Sequence, residues 1–167
     1  PVAAAFTPAL PLMSGFRQES EADTLDTLRL VRRLWAIHPS VEVNGAFFYN
    51  AYPGSPLYQD ALRHGVIAPD SFSGWARHGF DYDGCMPWVT PAQARMIRAL
   101  FAMTRSRYYV QELWGRRGYR PWQRMLFSLI NLPLDLSRRL RMRCEYYDYP
   151  IEWRIWAWIM KKSFGFL

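Results

Sequence analysis

The chain has 167 residues, half of them hydrophobic and 17% aromatic, with 21 Lys and Arg against 14 Asp and Glu for a formal net charge of +7. That length suits about one domain whose folding removes about 70% of the unfolded surface from water, and the composition excludes disorder of the whole chain. Membrane-spanning helices and a disulfide scaffold find no support: the longest uncharged stretch, Val43 to Gln59, is broken by three Asn or Gly and by Pro53, Gly54 and Pro56, and only Cys85 and Cys144 could pair.

Pro1 to Leu12 holds three prolines and a run of Ala, a poor start for an independent domain, and only Ala9 to Phe16 reads as a short strand. The chain opens on Pro1 rather than Met and lacks the charged leader of a secretory signal, so nothing points to export and the start reads as cut or misplaced. Ser20 then caps a helix expected over Ser20 to Ile37, with Leu25, Leu28, Val31, Leu34 and Trp35 at spacings of three and four. Glu21 and Asp23 sit at its positive end, and Arg29, Arg32 and Arg33 lie towards its negative end.

Pro39 stops this helix, and Val41 to Asn50 reads as a strand with Val41, Val43, Phe47 and Tyr49 on one side and Ala46 and Phe48 on the other. Two apolar faces suit a parallel strand covered on both sides, so strand, helix and strand form a crossover unit. Tyr52-Pro53-Gly54 is a turn, Ser55 caps a short helix over Pro56 to His64, and Gly65 ends it. Val66 to Val89 reads as an irregular covering loop. Helices are expected at 91 to 115, 121 to 131, 133 to 145 and 150 to 162.

The two stretches richest in signal are Met13 to Leu34, "MSGFRQESEADTLDTLRLVRRL", and Ala51 to Gly65, "AYPGSPLYQDALRHG". They resemble the later barrel strands of radical S-adenosylmethionine (SAM) enzymes, especially the group that also carries a cobalamin-binding domain. There one strand ends in a Gly-Phe/Leu-Pro-Gly-Glu-Thr-like turn before an acidic-capped helix, and the next in Pro-Tyr-Pro-Gly-Thr-Pro-Leu-Tyr. This chain keeps Gly15, Phe16, Glu19 and Tyr52 to Tyr58, with Ser20 and Ser55 in place of Thr, and departs at Arg17-Gln18 where the family has Pro-Gly. Trp75, Phe80-Asp81 and Pro87-Trp88 also resemble the loop that follows, so the likeness covers about residues 10 to 90.

The resemblance implies an α/β fold: the last strand and helix units of a partial TIM-like barrel over residues 1 to 90, followed by a mainly helical basic and aromatic region over residues 91 to 167. It implies that Gly15, Glu19, Tyr52, Pro53, Gly54 and Ser55 line the cofactor and substrate cavity. Ligands of parallel sheets and barrels bind beyond the carboxyl ends of the strands, where both turns fall. The alternative is that Gly-Phe and Pro-Gly are ordinary turn punctuation.

The family's 4Fe-4S cluster needs Cys-x3-Cys-x2-Cys, which this chain lacks, so the resemblance makes it a carboxyl-terminal part, catalytically incompetent by itself. The implied cofactors of the complete protein are S-adenosylmethionine and the iron-sulfur cluster, with cobalamin as an option. The implied partners are the missing amino-terminal part and a small-molecule or lipid-like substrate, in a cytoplasmic setting.

Other constellations have plainer explanations. His78, Asp81, Asp83 and Cys85 could suggest a metal, and Asp81-x-Asp83-Gly84 a calcium loop, but the distal Glu is missing and an ordinary loop accounts for them. His38 and His64 fall at helix ends, where capping accounts for them. Charge is divided unevenly: residues 1 to 85 carry six Arg and nine acids, residues 86 to 167 fifteen basic residues and five acids. Arg138 to Leu167 interleaves Arg and Lys with Tyr and Trp, which reads first as helix packing under an outer layer of Arg. The rival reading is a non-catalytic module attached peripherally to an anionic membrane, with single-stranded nucleic acid a less favoured partner.

Overall fold

A computed structural model describes residues 8–39, 41–76, 86–115 and 121–148, together with 154, 155 and 158. In chain order the elements are β1 (Ala9–Ser14), α1 (Glu21–Ile37), β2 (Glu42–Phe48), α2 (Pro56–Arg63), α3 (Phe72–Ala76), α4 (Pro91–Gly115) and α5 (Pro121–Cys144). The architecture is α/β and mostly helical, with a parallel sheet of β1 and β2 joined through α1.

Ser20 starts α1 as its sequence suggests. Its hydroxyl accepts from the Asp23 amide at 3.2 Å, and the Asp23 carboxylate accepts from the Ser20 amide at 2.8 Å, a reciprocal capping box. The Ser20 hydroxyl also lies 2.6 Å from that carboxylate, and its bond, followed by the one from the Ser20 amide, holds the Asp23 carboxyl below its ordinary pKa. Leu28, Val31 and Trp35 point inward, and the Trp35 indole donates to the Val41 carbonyl at 3.1 Å, fixing the entry to β2. His38 and His64 are the carboxyl-terminal caps of α1 and α2.

The expected alternation along β2 breaks in its middle. Pro11 pairs with Asn44, but Met13 pairs with Phe47, so β2 inserts one extra residue at Gly45 and Ala46. Ala46 therefore joins Val41 and Val43 in the core, Phe48 packs against them, and Phe47 meets Phe101 edge-on. Gly45 has φ +112°, and a Cβ there would collide with the Leu12 carbonyl. Its own carbonyl accepts from the Thr104 hydroxyl of α4, so the bulge leaves that group satisfied.

One face of the sheet is covered by α1 and α4, whose Leu28, Val31, Ile97, Leu100 and Met103 are buried with Val43 and Ala46. On the other face, where cover was also expected, Ala9, Pro11, Met13 and Asn44 are exposed, so none of the described residues supplies that cover. The core also takes in Leu134 and Met142 of α5 and Tyr147, so it draws on both the 1–90 and the 91–167 stretches.

The expected pair of helices over 121 to 131 and 133 to 145 is one helix running through Pro133. Proline removes one amide donor, yet packing of Leu134, Arg138 and Met142 carries the helix past it. Arg138 is buried over the Trp35 ring at 4.7 Å, and Arg29 grips Glu145 with two bonds of 2.7 and 2.8 Å, so α5 is held to α1. Within Val66 to Val89, α3 interrupts the expected irregular loop; residues 77–85 and most of 150 to 162 lie outside the described residues. No helix among the described residues is long and apolar enough to cross a membrane.

Candidate functional site at the carboxyl edge of the sheet

Because β1 and β2 are parallel, the turns that follow them emerge at the same edge. The first turn is built around Glu19. Its carboxylate accepts from the Ser14 hydroxyl, from the Gly15 amide at 2.6 Å, from the Phe16 amide at 3.2 Å and from the Thr24 hydroxyl at 2.9 Å. Gln93 of α4 closes the arrangement, donating to the Glu19 carbonyl at 3.2 Å and to Thr24 Oγ1 at 3.1 Å. Gly15 sits at φ +92°, with Val89, Ile97 and Phe48 around the place a side chain would take. The Trp88 indole donates to its carbonyl at 3.0 Å.

This geometry spends Glu19 and the amides of Gly15 and Phe16 on the turn itself. The carboxylate is engaged by its own neighbours, which makes it a brace for the loop rather than a base or a ligand group. The second turn is different: Tyr52, Pro53 and Gly54 are exposed, and Ser55 caps α2 by accepting from the Tyr58 amide at 3.1 Å. Arg17 bridges the two turns through Asp60 of α2 at 2.8 Å, and this bond holds the Asp60 carboxyl below its usual range.

Between the turns lies a small second core of Tyr49, Ala51, Ala61 and Met86, with Phe16, Tyr58, Trp88 and Val89 packed on it. Phe16 stacks on Tyr49 at 4.9 Å between ring centres. Among the described residues, two buried polar atoms here have no partner: Tyr49 Oη and Asn50 Oδ1, adjacent in sequence just past the end of β2. Tyr49 is 8% exposed, and burial, followed by the charge of Asp60, pushes its phenol above the ordinary pKa. At neutral pH it is a protonated donor without an acceptor among the described residues, and such groups cost about 1–3 kcal/mol when left alone.

The sequence-derived residues therefore divide. Gly15 and Glu19 meet in one half-buried turn, whereas Tyr52, Pro53 and Gly54 form an exposed rim beside the half-buried Ser55. Ser14, Thr24, Tyr49, Asn50 and Gln93 were not singled out by sequence reasoning. Tyr49 and Asn50 had a usable signal, the carboxyl end of an apolar strand directly before a Pro-Gly turn, but Gln93 reaches the site only through the packing of α4. His78, Asp81, Asp83 and Cys85 lie outside the described residues, and no group of three metal-ligating side chains occurs among those described. Comparison with protein-family models, with curated proteins and with solved structures finds no match to this chain.

Proposed function

We propose that the chain is the carboxyl-terminal part of a radical S-adenosylmethionine enzyme, supplying the last strand and helix units of a TIM-like barrel and part of the wall of its cofactor and substrate cavity. The observation that carries this reading is the unsatisfied pair Tyr49 Oη and Asn50 Oδ1 at the edge where both motif turns emerge. Ligands of parallel barrels bind at that edge. The uncovered side of the sheet, with Ala9, Pro11 and Met13 exposed, supports the barrel, because inward-facing side chains of a closed barrel are buried by its other strands.

The residues fit the two implied groups unequally. An iron-sulfur cluster does not fit: Cys144 stands exposed on α5, and it and Cys85 are too few for the three thiolates required. The cluster's ligands belong to the missing part of the enzyme. A nucleoside-bearing cofactor fits better, since it has hydroxyl and amine groups that Tyr49 and Asn50 could bind. Cobalamin and a small-molecule or lipid-like substrate rest on the motif resemblance.

The complete protein, reconstituted with iron and sulfide, should form 5′-deoxyadenosine from S-adenosylmethionine and a reductant, and the 167-residue chain alone should form none. A Tyr49→Phe change in the complete protein should weaken S-adenosylmethionine binding about fivefold, the worth of one hydrogen bond. A reconstituted complete protein that forms no 5′-deoxyadenosine would sink the proposal.

A further inference from the structure

Helix α5 is apolar on two opposite sides. Leu134 and Met142 are buried in the core, and Arg138 is buried between them over Trp35. On the far side Trp122, Met125, Leu129, Leu132, Leu136 and Leu140 are each more than half exposed. At about 100° per residue their spacing of three and four confines them to a stripe about 80° wide, centred about 160° from the buried side. The stripe runs about 27 Å along the helix. Its continuity depends on the passage through Pro133.

The charge around the stripe selects what covers it. The helix carries Arg124, Arg138, Arg139, Arg141 and Arg143 against the single acid Asp135, which is already paired with Arg138 and Arg139. A second copy docked on this face would set two strongly positive helices against each other. An anionic bilayer answers both the apolar stripe and the charge, and a helix with Trp and Leu on one side and Arg beside them suits its interface. Arg139 and Arg143 are exposed and fall at the margin and the carboxyl-terminal end of the stripe. There an apolar groove of about 520 Å³, lined by Pro133, Leu136, Leu140 and Tyr146, opens beside it.

We infer that α5 lies in the interface of an anionic lipid bilayer, with the Trp122 to Leu140 stripe among the acyl chains and Arg139 and Arg143 on the phosphates. This does not rest on the radical reading, which concerns other residues and is tested by a different readout.

The 167-residue chain should be sedimented with vesicles of phosphatidylcholine alone and of phosphatidylcholine and phosphatidylglycerol in a two to one ratio. Binding to the anionic vesicles is expected, falling as salt rises. Arg139→Gln and Arg143→Gln should each weaken it about fivefold. The double change Leu132→Gln with Leu136→Gln should weaken it about tenfold or more. All four side chains are exposed, and a cooperative thermal melt verifies that the variants fold, the Arg139 variant losing only its surface pair with Asp135. Failure to bind anionic vesicles, or equal binding by the leucine double variant, overturns the inference. So does a solution dimer that the leucine changes abolish, or capture of a single-stranded oligonucleotide with vesicles left unbound.

Discussion

Glu19 and Tyr49 sit at the same sheet edge and do opposite things. Glu19 is saturated by the Ser14 and Thr24 hydroxyls and the Gly15 and Phe16 amides. Tyr49 is neutral, buried and unsatisfied. Removing the carboxylate leaves the Ser14 hydroxyl and the Gly15 and Phe16 amides without an acceptor, while Thr24 keeps the Ser20 carbonyl, so Glu19→Ala should cost about 3 kcal/mol, read as a lower urea midpoint at unchanged slope. Glu19→Gln keeps one acceptor oxygen and should lose about half as much. The prominence of Glu19 in the motif was legible from the chain. Its commitment to the turn was not, because the donors lie up to five residues away and are gathered by a Gly at positive φ.

At the scale of elements, helix ends were legible and strand faces were not. Capping is local chemistry: Ser20 with Asp23, Ser55 with Tyr58 and Thr90 with Gln93 make their bonds within three residues. The β2 bulge is set by its fit against Leu12 of β1 and Thr104 of α4, and no pattern within the strand announces it. Pro133 misleads in the same manner, since proline normally ends a helix but here is overridden by the packing of Leu134, Arg138 and Met142 after it. Pro133 is exposed, so Pro133→Ala should restore a backbone bond without opening a cavity. It should stabilise the chain by about 2–3 kcal/mol in chemical denaturation.

The whole molecule is held together where its acidic and basic halves meet. Arg29 binds Glu145, and Arg32 donates to the Met142 carbonyl at 3.0 Å. The bond from Arg29 holds the Glu145 carboxyl below its ordinary pKa. Burial pushes Asp135 up, but the bond and charge of Arg138, aided by Arg139, win and hold it down. Native values depressed below the unfolded ones mean stability that is complete above the ordinary carboxyl range and lost as pH falls through the native values. The thermal midpoint should therefore stay level near neutrality and drop below about pH 4. Arg29→Ala should lower the neutral midpoint and flatten part of that drop.

Local order was decided by the amino-acid sequence alone: the helix caps, the parallel strand and helix unit and the apolar spacings, because each depends on groups a few residues apart. The tertiary structure decided which atoms are left over. Whether Glu19 is spent, whether Tyr49 is orphaned and whether the α5 stripe faces outward all depend on which distant element arrives beside them. Hydrogen-bond satisfaction and burial are properties of that arrangement in space, and no spacing along the chain encodes them.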